Sequence, residues 1–211
     1  MTPGFFGSTV GKKIIVAVTG VVMIGFVIGH LLGNLQIFAG PQKLNDYAAF
    51  LRRELPLLWG TRILLSASVA AHIVATIQLT RLNRQSRPIP YHRHEMIQAS
   101  AASRFMIWGG VFLAFYIVFH IGHLTFGVAH PHFNERDVYA NVVNGFSVWP
   151  VSVFYILGMV ALGFHLYHGV YSAFQTLGLT HPKYDPWRRA LATVSALGIS
   201  STNGTAGHIF L

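Results

Sequence analysis

The 211-residue chain is 53% hydrophobic and only 10% charged, where soluble domains carry about 25% charged residues, so an ordinary water-soluble globule is excluded and lipid is the expected solvent. It has no cysteine, which excludes disulfides, thiolate zinc sites and cysteine-bound iron–sulfur clusters within the chain and leaves histidine and oxygen as metal ligands. The net charge of +9 suits anionic headgroups or a protein partner, and no basic run is interleaved with aromatic residues as nucleic-acid binding would require.

From the N-terminus, MTPGFFGSTVGKK leads into an apolar run too long for a signal h-region and without a small-residue cleavage site, so it reads as a retained span. Apolar segments are predicted at about 14–38, 57–80, 105–129, 150–177 and 189–211. Each has the roughly 20 residues needed to cross a hydrocarbon core of about 30 Å, and backbone in lipid must satisfy its own hydrogen bonds, so each is expected to be helical. The last carries Ser200, Ser201, Thr202, Asn203 and Thr205 and is expected to lay that side against protein. The connections AGPQKLNDYAAFLRREL, NRQSRPIPYHRHE, HPHFNERDVYANVVNGFSVWP and THPKYDPW read as polar, proline-punctuated loops with no domain boundary. The expectation is an all-α integral membrane bundle of five transmembrane helices, a single domain over residues 1–211. Basic residues orient it. With a cytoplasmic N-terminus, Lys12, Lys13, Arg81, Arg84, Arg87, Arg93, Arg104, Lys183, Arg188 and Arg189 lie inside, against Lys43, Arg52, Arg53, Arg62 and Arg136 outside. The positive-inside rule then places the N-terminus inside and the C-terminus outside.

Twelve histidines are the unusual feature. His30 lies about 24 Å into the first span, and His120 lies about 24 Å past Arg104 in the third, which runs the same way. His72 in the second span and His165 in the fourth each fall 15 residues after the start of theirs, and both of these run in the opposite direction. The first four helices therefore offer two histidine pairs at matched depths, one near each face. Facing imidazoles at equal depth are what a six-coordinate, bis-histidine haem needs. Small residues beside them, such as Gly25, Gly29 and Gly33 around His30 and Ala67, Ala70, Ala71 and Ala75 around His72, leave room for a flat macrocycle. Such residues also mark plain helix contact, and a lone membrane histidine is commonly satisfied by a carbonyl. A proton relay would want acids within the spans, yet Asp46, Glu54, Glu95, Glu135, Asp137 and Asp185 all fall in loops, so haem ligation is the better account. Depth does not separate His120 from His123 or His165 from His168, because three residues cover only about 4.5 Å.

KKIIVAVTG followed by GHLLGNLQIF, His72 after an interval of 42 residues, and GFHLYHGVYSAFQTLG resemble the diheme cytochrome b membrane anchor of succinate:quinone oxidoreductases and quinol:fumarate reductases. The HLxGN and FHxxxGxxSxF elements are the specific part. The resemblance implies that the first four helices form the haem-binding core, with His30 and His120 on a distal haem b and His72 and His165 on a proximal one. It also implies a quinone, taken here as menaquinone, and electron transfer between that quinone and an iron–sulfur subunit. A flavoprotein subunit and the iron–sulfur subunit would dock on the cytoplasmic face of a prokaryotic inner membrane and carry the dicarboxylate chemistry, and the complex could assemble into a higher oligomer.

Arg104, at the mouth of the third helix, is a candidate propionate contact, as are His123 and His168. For the quinone, Glu54 is the expected proton-exchanging group, with Asn34 and Trp59 as further candidates for an apolar slot with hydrogen-bonding edges. His92 and His94 read as surface residues of the cytoplasmic loop, and His130, His132 and His181 as loop residues near headgroups. The sequence departs from family members that carry a glutamate two residues before the fourth ligand for a transmembrane proton path, since Gly163 stands there. Two alternatives remain at this stage: a haem b anchor of another respiratory enzyme, and a haem-free histidine-rich transporter.

Overall fold

Residues 4, 7–86, 101–176, 178, 187, 190 and 193 are described in the computed structural model of the chain. Ser8 starts the first helix, α1 (Thr9–Asn34), by accepting the Gly11 N–H at 3.0 Å, one of the amides that a helix start leaves without a partner. The helix tightens into a 3-10 turn over Leu35–Ala39 and stops at Gly40, whose φ of 96° is open to glycine and strained for other residues. Pro41 then begins α2 (Pro41–Arg53), where its missing N–H costs nothing. The remaining helices are α3 (Leu55–Gln85), α4 (Ala101–Leu124), α5 (Val138–Phe146) and α6 (Trp149–Thr176).

Among the described residues, four helical stretches are long and apolar enough to cross a membrane: Thr9–Ala39, Leu55–Gln85, Phe105–Leu124 and Trp149–Thr176. Their outer faces carry Ile63, Phe115 and Val118, exposed at 66%, 69% and 72%. Apolar side chains on this scale face outward only where the surroundings are themselves apolar. The chain is thus an all-helical, multi-pass membrane bundle. Its first four expected spans correspond to α1, α3, α4 and α6, while the fifth, 189–211, lies outside the described residues apart from Ala190 and Thr193. Two stretches expected to be loops contain helix. AGPQKLNDYAAFLRREL forms α2, and HPHFNERDVYANVVNGFSVWP contains α5, because in each a short amphipathic helix can lie on the bundle with only one apolar side to cover.

Both halves of the bundle repeat one plan, a long helix, a short amphipathic helix and a long helix running back. α1 packs on α3, α4 packs on α6, and α1 also touches α6. Tyr47 of α2 lies over Gly33, where an added Cβ would stand 2.8 Å from its ring, so α2 is folded tightly onto the end of α1. At that end α2 and α5 clasp each other. Asn45 donates to the Asp137 carboxylate at 2.9 Å and accepts the Tyr139 N–H at 3.0 Å, and Asp137 caps α5 by accepting the Ala140 N–H at 3.0 Å. Arg52 donates to the Glu135 carbonyl at 2.8 Å, and Asn141 closes the preceding loop through paired bonds with Asn134 of 2.7 and 2.8 Å.

The Ala140 amide first, and then the Asn45 side chain, hold the Asp137 carboxyl below the usual carboxylate range. A lowered acid adds stability that is complete above its ordinary pKa and disappears as the pH falls through the lowered value. Asp137→Ala is expected to cost about 1 kcal/mol, the usual worth of a helix cap. Thermal unfolding of the purified protein should show this deficit at neutral pH and show it vanish in strong acid.

Candidate functional site: two histidine couples across a seam

The helices that carry each predicted histidine pair, α1 with α4 and α3 with α6, are not among the closely packed pairs, so each pair meets across the seam between the two hairpins. The rings of His30 and His120 lie 5.8 Å apart, centroid to centroid, with their planes at 88°. Those of His72 and His165 lie 6.3 Å apart at 55°. A metal–imidazole bond of about 2.0 Å on each side, with the ring centre roughly 1.1 Å behind the nitrogen, puts two rings sharing one iron about 6 Å apart. Both separations are of that size, so the donor set fits the haem that the family resemblance implies.

Neighbouring groups hold these rings. Phe26 stacks on His30 at 5.5 Å and Tyr116 on His120 at 5.9 Å. Thr19 Oγ1 is 3.0 Å from His72 Nδ1, and Tyr155 Oη is 3.3 Å from His120 Nδ1. The buried Nδ1 of His165 has no hydrogen-bond partner among the described residues. Two glycines lie beside these rings, each at a distance where an added Cβ would make an ordinary contact. A Cβ at Gly20 would lie 3.9 Å from the His72 ring, and one at Gly110 would lie 3.9 Å from that of His165.

The two histidines of each span point in different directions. His120 faces His30, whereas His123, almost one turn further on, is fully buried beneath α5. Its Nδ1 is 3.1 Å from Tyr155 Oη, and its ring lies against Phe119 and His130, 5.4 and 5.0 Å away. His123 is thus enclosed by protein, and its Nε2 has no hydrogen-bond partner among the described residues. His130 is also more than a headgroup-level loop residue. Its Nε2–H donates to the Asn141 carbonyl at 2.7 Å and its Nδ1 accepts the His132 N–H at 3.1 Å, which latches the loop onto α5. His165 faces His72, and His168 is half-buried one turn beyond it. Arg104 stands in the first turn of α4, with its side chain outside the described set.

The quinone candidates share the α2 end of the bundle. Glu54 is the exposed joint between α2 and α3, Asn34 is the exposed last residue of α1, and Trp59 is in the first turns of α3 with the Arg62 guanidinium 5.2 Å over its ring. No hydrogen bond or ring contact joins these three among the described residues. Thr19 and Tyr155 escaped sequence reasoning because a threonine or tyrosine in an apolar helix is common, and their partners lie 53 and 35 residues away.

Four membrane-crossing helices among the described residues, with two facing histidine couples, make this a multi-pass membrane protein. Residues 81–202 match the family described as the succinate dehydrogenase/fumarate reductase transmembrane subunit, and the chain belongs to that family. The match takes in α4, α5 and α6. Membership makes the chain a subunit of an oxidoreductase complex and implies association with its flavoprotein and iron–sulfur subunits. Neither a curated protein nor a solved structure matches the chain.

Proposed function

We propose that this chain is the cytochrome b anchor of a succinate dehydrogenase/fumarate reductase complex, holding one haem b between His30 and His120 and another between His72 and His165, and passing electrons between a membrane quinone and the iron–sulfur subunit. The observation that carries the reading is the meeting of two imidazoles across the seam at each of two levels. Bound haem would supply, at each level, an iron centre that changes oxidation state by one electron within the membrane.

The chain's own residues bind, orient and shield. The two couples present ring nitrogens from opposite hairpins, and the apolar helices around them keep water away, which with the hydrogen bonds to the rings sets how basic the ligands are. Arg104, His123 and His168 are the groups proposed to meet propionates. At the α2 end, Glu54 stands where it can trade protons with water, Asn34 offers an amide to a quinone carbonyl, and Trp59 offers an apolar wall. Menaquinone is the expected substrate there. With the N-terminus cytoplasmic, the flavoprotein and iron–sulfur subunits dock at the opposite end of the bundle, where Arg81 and Arg84 close α3, in the inner membrane of a prokaryote.

The test is the absorption spectrum and haem count of the complex purified from membranes. A Soret band, b-type alpha bands on reduction and two haems per copy of this chain are expected. An assembled complex with no Soret absorption would defeat the proposal.

A further inference from the structure

Among the described residues each histidine couple is asymmetric: one ring has a hydroxyl at Nδ1 and the other does not. Thr19 serves His72, whereas His165 Nδ1 is buried with no partner among the described residues. Tyr155 serves His120, whereas His30 makes no hydrogen bond among the described residues.

The direction of the Thr19 contact follows from counting protons. The hydroxyl has one to give, and its oxygen lies 2.7 Å from the Ile15 carbonyl and 3.2 Å from the Val16 carbonyl, neither of which can donate. The hydroxyl proton is committed there, so the contact with His72 runs from Nδ1–H to Oγ1. A neutral imidazole has one N–H, so Nε2 of His72 keeps its lone pair, as a metal ligand must.

Tyr155 Oη stands between two Nδ1 atoms, His120 at 3.3 Å and His123 at 3.1 Å, again with one proton. If it gave that proton to His120, the remaining N–H of the ring would be at Nε2 and would block the metal. The workable direction is His120 Nδ1–H to Oη, and Oη–H to His123 Nδ1. His123 is thereby the far end of a chain that holds the phenol in place, and it is itself held under Gly145, where an added Cβ would lie 2.7 Å from its Cε1.

We propose that Thr19 and Tyr155 are positioning residues for the two haems, each accepting the Nδ1–H of one axial histidine, fixing its tautomer and making it the more basic ligand of its couple. The inference rests on the haem reading above. A more basic imidazole favours ferric iron, so loss of the acceptor raises the midpoint potential of the haem it serves.

Optical redox titration of the holo complex tests it. Thr19→Val is expected to shift one haem upward and leave the other in place, Thr19→Ser to restore the parent value, and Tyr155→Phe to shift the other haem. The proposal is overturned if Thr19→Val and Tyr155→Phe both titrate like the parent, or if both move the same haem. Should Thr19→Val fail to assemble, Tyr155→Phe decides alone: an upward shift of one haem supports the proposal and an unchanged titration overturns it. A parent complex without haem would remove the functional reading itself, and that failure is visible before any variant is compared.

Discussion

Replacing His30 by alanine is expected to halve the haem content of the complex, from two per chain to one. The proposed site between α1 and α4 draws one ligand from each hairpin, His30 and His120 at 5.8 Å, and truncation leaves only the α4 ring. The other proposed site would draw its ligands from α3 and α6, whose rings lie 6.3 Å apart, and shares neither histidine. His72→Ala should remove the complementary haem. Haem extracted from the purified variants and counted against protein measures the loss, and redox titration identifies which of the two components has gone. Both haems retained in an assembled His30→Ala complex would refute the pairing.

The second large effect is one of packing. In α6, a Cβ at Gly158 would lie 2.5 Å from two carbons of the Tyr116 ring. That ring has nowhere to move, because it is buried with Leu113 and Tyr155, lies 5.9 Å from Phe154 and stacks on His120. Gly158→Ala should therefore push α4 and α6 apart at a cost of about 1–3 kcal/mol, the usual range for overpacking a filled interior. The strain would also reach the His120 ring through Tyr116. Gly169→Ala in the same helix is the control: nothing among the described residues lies within 4 Å of an added Cβ, and alanine is the better helix former by about 1 kcal/mol. Thermal denaturation should separate the two variants, with Gly158→Ala melting lower and Gly169→Ala no lower than the parent.

The long helices were legible because lipid leaves a backbone few options, and runs such as KKIIVAVTGVVMIGFVI announce themselves by length and hydropathy. The short ones were not. Polar residues in PQKLNDYAAFLRR outweigh the apolar ones in any average, yet Leu44, Tyr47 and Leu51 recur at helical spacing, and that periodicity was the available signal. For α5 the cue was Asp137 ahead of an apolar run, a cap signature hidden among loop residues. Within the candidate site, matched depth picked out which helices could bring histidines together. It could not tell His120 from His123, since that distinction is rotational: one faces the seam and the other a lid whose existence the sequence had not suggested. Nor could it find Thr19, whose use depends on a ring 53 residues away.

On α1, ten residues separate Gly20, which lies against His72, from His30; on α4, ten separate Gly110, which lies against His165, from His120. At about 100° per residue, ten steps fall short of three full rotations by about 80°. Each rod therefore meets its own hairpin mate at one height and, nearly a quarter turn round, reaches toward the opposite hairpin about 15 Å further along its axis. The interval acts as a gauge for both height and azimuth. A single residue inserted within it would swing the far histidine by about 100° while leaving the near glycine in place, so neither rod can be lengthened there without losing one of its two faces.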